Sequence, residues 1–192
     1  MSHIVFFHSA VGLNDGVHAM AQTLRDAGHT VTTPDYYDGH TFDTAEAGVA
    51  HRDEVGFRTL VDRVGDAIAD IDGPFVAAGI SLGAAMAQRL GKKDPRTQAA
   101  LLLHAGGEAK PVDWPATCAL QIHHSVDDPW VDEGAPETLL RSAARAGARA
   151  EHYLYPGDQH LFADPTGRDY VKESADLLWS RVLGLLDGLR DD

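Results

Sequence analysis

A chain of 192 residues, 44% hydrophobic and 23% charged, has the balance of one globular domain with a real core and little room for a second. Its net charge of −13 opposes a nucleic-acid backbone or an anionic membrane surface as partner, because like charges would be pressed together. The single cysteine, Cys118, has no internal disulfide partner and fits a reducing, cytoplasmic setting; no signal peptide or membrane-length apolar run is visible.

In chain order, "HIVFFHS" (residues 3–9) has the apolar run of a buried strand, and "GVHAMAQTLRDAGH" (16–29) has helical spacing and stops near Gly28. "TVTTPDYY" begins β-branched and breaks at Pro34, a strand running into a loop. "EVGFRTLVDRVGDAIADI" carries apolar residues at helical spacing and is expected as one helix. "GPFVAAGI" is strand-like, and "LGAAMAQRLGKK" is a helix with basic residues in its last turn. "QAALLLHAG", "TCALQIHHS" and "RAEHYLYPG" supply three more strands. "PETLLRSAARAGA" and the closing stretch 169–189 supply two more helices. Strands alternating with helices imply an α/β fold: a doubly wound, mostly parallel sheet of about six strands with helices on both faces. Residues 1–192 should form a single domain. Ligands of such sheets sit beyond the carboxyl ends of the strands.

One of those ends carries "AAGISLGAAMAQRL", residues 77–90. Ser81 stands between Gly79 and Gly83 where strand passes straight into helix, the context that gives G-x-S-x-G its meaning. Two readings are open. Ser81 is an ordinary helix cap on a closely packed helix, or it is a nucleophile on a strained turn, with the Leu82 amide aimed at a developing oxyanion.

A serine hydroxyl needs a base, and the base needs an orienting acid. In hydrolases of this topology they follow in the order Ser, acid, His. Downstream, "QIHHSVDDPWVD" ends a strand with Asp127 and Asp128, and "YPGDQHLFAD" puts His160 in the loop after the next strand. Among eleven histidines, His29, His40 and His104 come too early for this order and His152 lies within a strand. Successive residues face opposite ways, so only one of the two aspartates should reach His160; residue spacing alone leaves open which.

In order and spacing, "VFFHSAVGLN", "PDYYDGHTFD", "GISLGA", "VDDPWVD" and "YPGDQHLF" resemble the dienelactone hydrolase family of α/β-hydrolases over most of the chain. The resemblance implies an α/β-hydrolase fold with a reduced sheet. Laid on "SVDDPWV", the family pattern selects Asp128 as the acid and leaves Asp127 to cap the turn at Pro129. It makes "HSAVGLN" the oxyanion loop, in which the Ala10 amide joins that of Leu82. The chain departs from the family in three places. Ser81 replaces the cysteine nucleophile, Ser9 stands where the family has a glutamate, and Asp164 stands where it has a substrate-binding arginine. A dianionic dienelactone would be poorly served by these changes, so Ser–His–Asp esterase chemistry is the better expectation.

Only "GGEAKPVDWPAT" follows the strand ending at His104, which leaves no room for a helical lid and predicts an open site. Tyr36, Tyr37, His40 and Trp130 are candidates to wall it, with His8 and Ser9 at its floor, although each residue type more often packs than binds. His123 and His124 are adjacent and cannot chelate together, and no metal motif, phosphate-loop lysine or dinucleotide fingerprint is present. No cofactor is expected. The reading is a hydrolase of small carboxylic esters or lactones, with Ser81, His160 and Asp128 as its triad. Two other readings share these residues: a non-catalytic hydrolase-fold binding protein, and an acyltransferase or peptidase.

Overall fold

The structure is a computed structural model, and it describes residues 1–189. Six strands form one sheet: β1 (His3–Phe7), β2 (Thr30–Thr32), β3 (Phe75–Ile80), β4 (Thr97–Leu103), β5 (Ala119–Ser125) and β6 (Ala150–Tyr155). Their spatial order is β2-β1-β3-β4-β5-β6, and every pairing is parallel. Six helices connect them: α1 (Asp15–Asp26), α2 (Ala45–Val55), α3 (Phe57–Ala67), α4 (Leu82–Lys93), α5 (Ala135–Ala146) and α6 (Lys172–Gly188). This is the expected α/β-hydrolase architecture, and none of its described helices is long and apolar enough to cross a membrane.

Strand alternation divides the core in two. Ile4 and Phe6 of β1 join Val17 and Met20 of α1 and Leu178 and Val182 of α6 on one face. Val5 and Phe7 join Leu60 of α3, Met86 of α4 and Leu139 of α5 on the other. The central strands are apolar on both sides because helices cover both, as parallel sheets require. The chain leaves β1 outward to β2 and then returns to the other side of β1 for β3. The crevice of this switch opens between the carboxyl ends of β1 and β3, where Phe7 is in register with Gly79.

Two helical expectations need correction. The stretch expected as one helix through Gly56 is broken there, because Gly56 has φ of +86° and caps both α2 and α3. The closing helix starts at Lys172, after Val171 in extended conformation, rather than at 169.

Candidate active site

The elbow comes first. Ser81 has φ 53° and ψ −114°, a conformation that costs a non-glycine residue on the order of 1–3 kcal/mol. The packing demands it. A Cβ on Gly83 would lie 2.4 Å from the carbonyl oxygen of Phe7, and one on Gly79 would lie 2.1 Å from that of Gly83. The helix therefore starts against the end of β1, and the turn from β3 has to be this tight. Main-chain bonds hold the serine: its N–H donates to the Leu103 carbonyl at 2.9 Å and its own carbonyl accepts from Ala84 at 2.9 Å. Its hydroxyl makes no capping bond to the helix. The cap reading of Ser81 has no support in the geometry.

The hydroxyl meets His160 instead, with Ser81 Oγ 2.8 Å from His160 Nε2. On the far side of the ring, Nδ1 is 2.8 Å from Asp128 Oδ2 and 3.0 Å from Oδ1. A carboxylate can only accept, so Nδ1 carries the proton and Nε2 presents its lone pair to the serine O–H. Both partners are buried, and the two loops that carry them are tied together. Ser125 Oγ donates to the Gln159 carbonyl at 2.7 Å, and the Asp127 amide donates to the Gly157 carbonyl at 3.0 Å. Asp127 itself points to solvent. The turn at Pro129 is capped not by Asp127, as expected, but by Asp128, whose Oδ1 accepts from the Trp130 amide at 2.9 Å. One carboxylate thus serves both the imidazole and its own turn.

The Leu82 amide opens α4, where no earlier carbonyl is in helical register to accept from it. Neither it nor the Ala10 amide has an acceptor among the described residues. The loop that carries Ala10 is braced: Gly12 N–H donates to the Ser9 carbonyl at 3.1 Å, and Val11 N–H to Ser9 Oγ at 3.2 Å. Ser9 is therefore a buried strut of this loop and not a wall of the site.

Of the remaining candidates, only Trp130 lies over the site, half exposed, with its ring 5.8 Å from that of His160. Tyr36 and Tyr37 are fully buried in the core and offer no surface to a ligand. The Tyr36 hydroxyl donates to the His8 carbonyl, and that of Tyr37 to the Gly48 carbonyl at 3.1 Å. His8 is equally buried, stacked on Tyr36 at 3.8 Å, with Nδ1–H donating to the Ser9 carbonyl at 2.7 Å. Burial pulls its pKa down to about 4, so it is a neutral brace beneath the loop. His40 stacks on His51 at 4.8 Å, and its Nδ1–H donates to the Tyr37 carbonyl at 2.8 Å. Aromatic residues after a short strand look the same in sequence whether they line a site or fill the space beneath it.

Two residues that the sequence named without giving them a place in the site lie beside it. His104, at the end of β4, is excluded as the triad base by chain order, yet its ring stands 6.5 Å from that of His160 and edge-on to Phe162 at 4.5 Å. Burial, and then the proximity of His160, hold its pKa well below the usual histidine range. Asp164 is buried, with Oδ1 accepting from the Thr166 amide at 2.9 Å and the Thr166 hydroxyl at 2.8 Å. Where the family arginine was sought, the chain makes a closed turn. His123 and His124 are both buried, and the His123 ring lies 2.7 Å from the Tyr155 hydroxyl and 2.8 Å from Gln121 Oε1. Among the described residues no cluster of three or more His, Cys, Asp or Glu side chains could hold a metal ion.

Two clefts meet at Trp130. One, of about 340 Å³, contains Ser81 and follows α4. The other, of about 390 Å³, contains His160 and lies between the Ala10 loop and residues 164–169. The segment between β4 and β5 is without a helix; the helices beside the clefts come from elsewhere, Phe57 of α3 at the first as well as α4, and Ala45 and Glu46 of α2 at the second.

The sequence profile of the dienelactone hydrolase family matches residues 1–189. The chain belongs to the dienelactone hydrolase family. By its description that family is one of hydrolases. A "Putative carboxymethylenebutenolidase" of Saccharolobus solfataricus is 37% identical over 60 residues, a match spanning 31% of this chain and 23% of that protein. Among solved structures, a dienelactone hydrolase-like promiscuous phosphotriesterase from metagenomic libraries superposes with a TM-score of 0.81 at 22% identity, over 98% of this chain and 87% of the other. MGS-M1, an α/β hydrolase enzyme from a deep-sea metagenome library of the Medee basin, has a TM-score of 0.73 at 13% identity, over 100% and 85%. At such identities the structural likeness is one of fold. Within the dienelactone hydrolase family this chain has a serine at the elbow.

Proposed function

We propose that this member of the family hydrolyses small carboxylic esters or lactones through an acyl-enzyme on Ser81. The observation that carries the reading is the unbroken hydrogen-bonded line from Ser81 Oγ through His160 to Asp128, at 2.8 Å on either side of the imidazole. As Oγ attacks the carbonyl carbon, His160 Nε2 takes the hydroxyl proton, and Asp128 holds the ring in the tautomer that makes Nε2 basic. The Ala10 and Leu82 amides donate to the developing oxyanion, each contributing roughly 3–4 kcal/mol to the transition state by the precedent of other hydrolases. His160 then returns its proton to the departing alkoxide. Water then enters on the same side and loses a proton to Nε2 as its oxygen bonds the acyl carbon; the acyl–Oγ bond breaks, Nε2 returns the proton to Ser81 Oγ, and the acid leaves. In a lactone the departing alcohol stays attached to the acyl chain.

The test is the intact mass of native protein after exposure to a fluorophosphonate, beside Ser81→Ala and His160→Ala. A single adduct that requires both residues supports the reading, and a panel of esters and lactones follows. Unmodified native protein, or an adduct that survives Ser81→Ala, overturns it and favours a hydrolase-fold binding protein.

A further inference from the structure

The two clefts divide the catalytic pair between them. Ser81 lines the cleft along α4 and not the other, whereas His160 lines the cleft beside the Ala10 loop and not the first. Among the described residues only Trp130 lines both. Its indole is half exposed, with its ring 5.8 Å from that of His160, and its amide donates to Asp128 Oδ1 at 2.9 Å. The carboxylate that orients the base therefore also fastens the wall between the clefts.

The chemistry gives each cleft one arm of an ester. The acyl carbon becomes bonded to Ser81 Oγ, so the acyl arm extends from the residue that lines the α4 cleft. The departing oxygen takes its proton from His160 Nε2 and must lie within hydrogen-bond reach of it, so the alcohol leaves on the His160 side.

Along α4 the path is open because its residues are small. Ser81, Ala85 and Arg89 follow at four-residue spacing and share one face of the helix, and Ala85 is the first exposed side chain beyond the serine. Ala105, Gly106 and Gly107 add lining with nothing larger than a methyl group. The charged side chains here, Arg89 and Lys92 against Glu108 and Asp132, sum to zero, and Lys92 is paired with Glu108. No charge is called for on the arm. From Ser81 to Arg89 the helix rises about 12 Å, enough to lie alongside an extended chain of roughly six to eight carbons.

We propose that Trp130 and Ala85 set the specificity of this site. Trp130 sends the two arms of an ester into separate clefts, and the α4 cleft takes an uncharged aliphatic acyl arm whose passage depends on the small side chain of Ala85. The inference rests on the hydrolase reading above.

The experiment uses ethyl hexanoate and hexyl acetate, isomers that carry the six-carbon arm on opposite sides of the ester bond and so match in bulk hydrophobicity. Hydrolysis is followed by acid release, with p-nitrophenyl acetate as the reference substrate. Ala85→Leu sets a branched side chain across the path while keeping a strong helix former at an exposed position. It should lower kcat/KM of ethyl hexanoate about tenfold more than that of hexyl acetate. Trp130→Ala opens one cleft to the other, so adding Ala85→Leu to it should separate the isomers by no more than about twofold. Equal losses on both isomers, or the larger loss on hexyl acetate, overturn the acyl assignment while hydrolysis of p-nitrophenyl acetate upholds the hydrolase reading. An Ala85→Leu effect that is undiminished by Trp130→Ala overturns the dividing role of Trp130. Turnover of none of the three esters by the native protein overturns the hydrolase reading and this inference with it.

Discussion

The carbonyl oxygen of Ala10 lies 1.8 Å from where a Cβ on Gly48 would be. Gly48 is the one buried residue of α2, and the Tyr37 hydroxyl fastens its carbonyl from behind. The helix therefore presses bare backbone against the loop whose amide is proposed to bind the oxyanion. Gly48→Ala must push that loop away. Complete loss of an oxyanion donor costs about 10²–10³ in kcat, so a displaced one should cost on the order of tenfold to a hundredfold, with KM changing less. Steady-state kinetics on p-nitrophenyl acetate, beside a melting curve, would check this. An unchanged kcat in a folded variant would remove Ala10 from the proposed site.

That helix also marks where the sequence stops being legible. "AEAGVAHRDEV" buries one glycine and no apolar stripe, so hydrophobic periodicity has nothing to register, and only the Thr44 cap, accepting from Ala47 at 3.2 Å, announces it. The six strands could be read because parallel strands covered on both faces are near-continuous apolar runs. Ser81 and His160 could be singled out because each follows a different strand at the sheet edge where ligands bind. The buried state of Tyr36, Tyr37 and His8 could not, since it depends on α2 and α3 closing over them. Nor could the double use of Asp128, which depends on a turn one residue wide.

Asp128 and Asp127 are adjacent in sequence, and only one of them reaches His160. Asp128→Asn keeps the shape but offers an amide to a ring that must donate, which favours the wrong imidazole tautomer. By the precedent of serine proteases the loss in kcat is about 10⁴-fold. Asp127→Asn, at an exposed position, should stay within about twofold of the native enzyme. The two variants measured side by side decide the acid, and equal losses would sink the assignment.

Ser81 combines a strained backbone with a hydroxyl that does nothing for the helix. Ser81→Gly should therefore abolish turnover and raise stability. Relief of about 1–3 kcal/mol is offset by the roughly 0.5–1 kcal/mol that glycine loses in chain entropy, leaving a net gain of about 1 kcal/mol. Gly83→Ala, forced against the Phe7 carbonyl, should do the reverse and destabilise the fold. Urea midpoints of the two variants would show it, and a Ser81→Gly midpoint below the native one would contradict the strain argument.

The buried histidines make a prediction about acid. Burial lowers His8 to about 4 and His123 to about 3, and holds His104 well below its ordinary value. Each is neutral in the folded protein, while in the unfolded chain a histidine titrates near 6.5. Below that pH the unfolded state binds more protons, so stability rises with pH across this window and falls as pH drops toward the folded values. Between pH 7 and 5, His8 and His123 should each remove about 2 kcal/mol of stability, at about 1.4 kcal/mol per pH unit below 6.5. His123 gives the cleaner test, since its ring is held by Tyr155 and Gln121, with Arg181, His152 and His124 as its charged and titratable neighbours, and takes no part in the Ser81–His160–Asp128 line. Replacing it with glutamine removes its titration, so the fall in urea midpoint from pH 7 to 5 should be smaller in His123→Gln than in the native protein. Parallel pH profiles for the two proteins would mean that His123 is not held neutral by its burial, and that the acid sensitivity arises elsewhere.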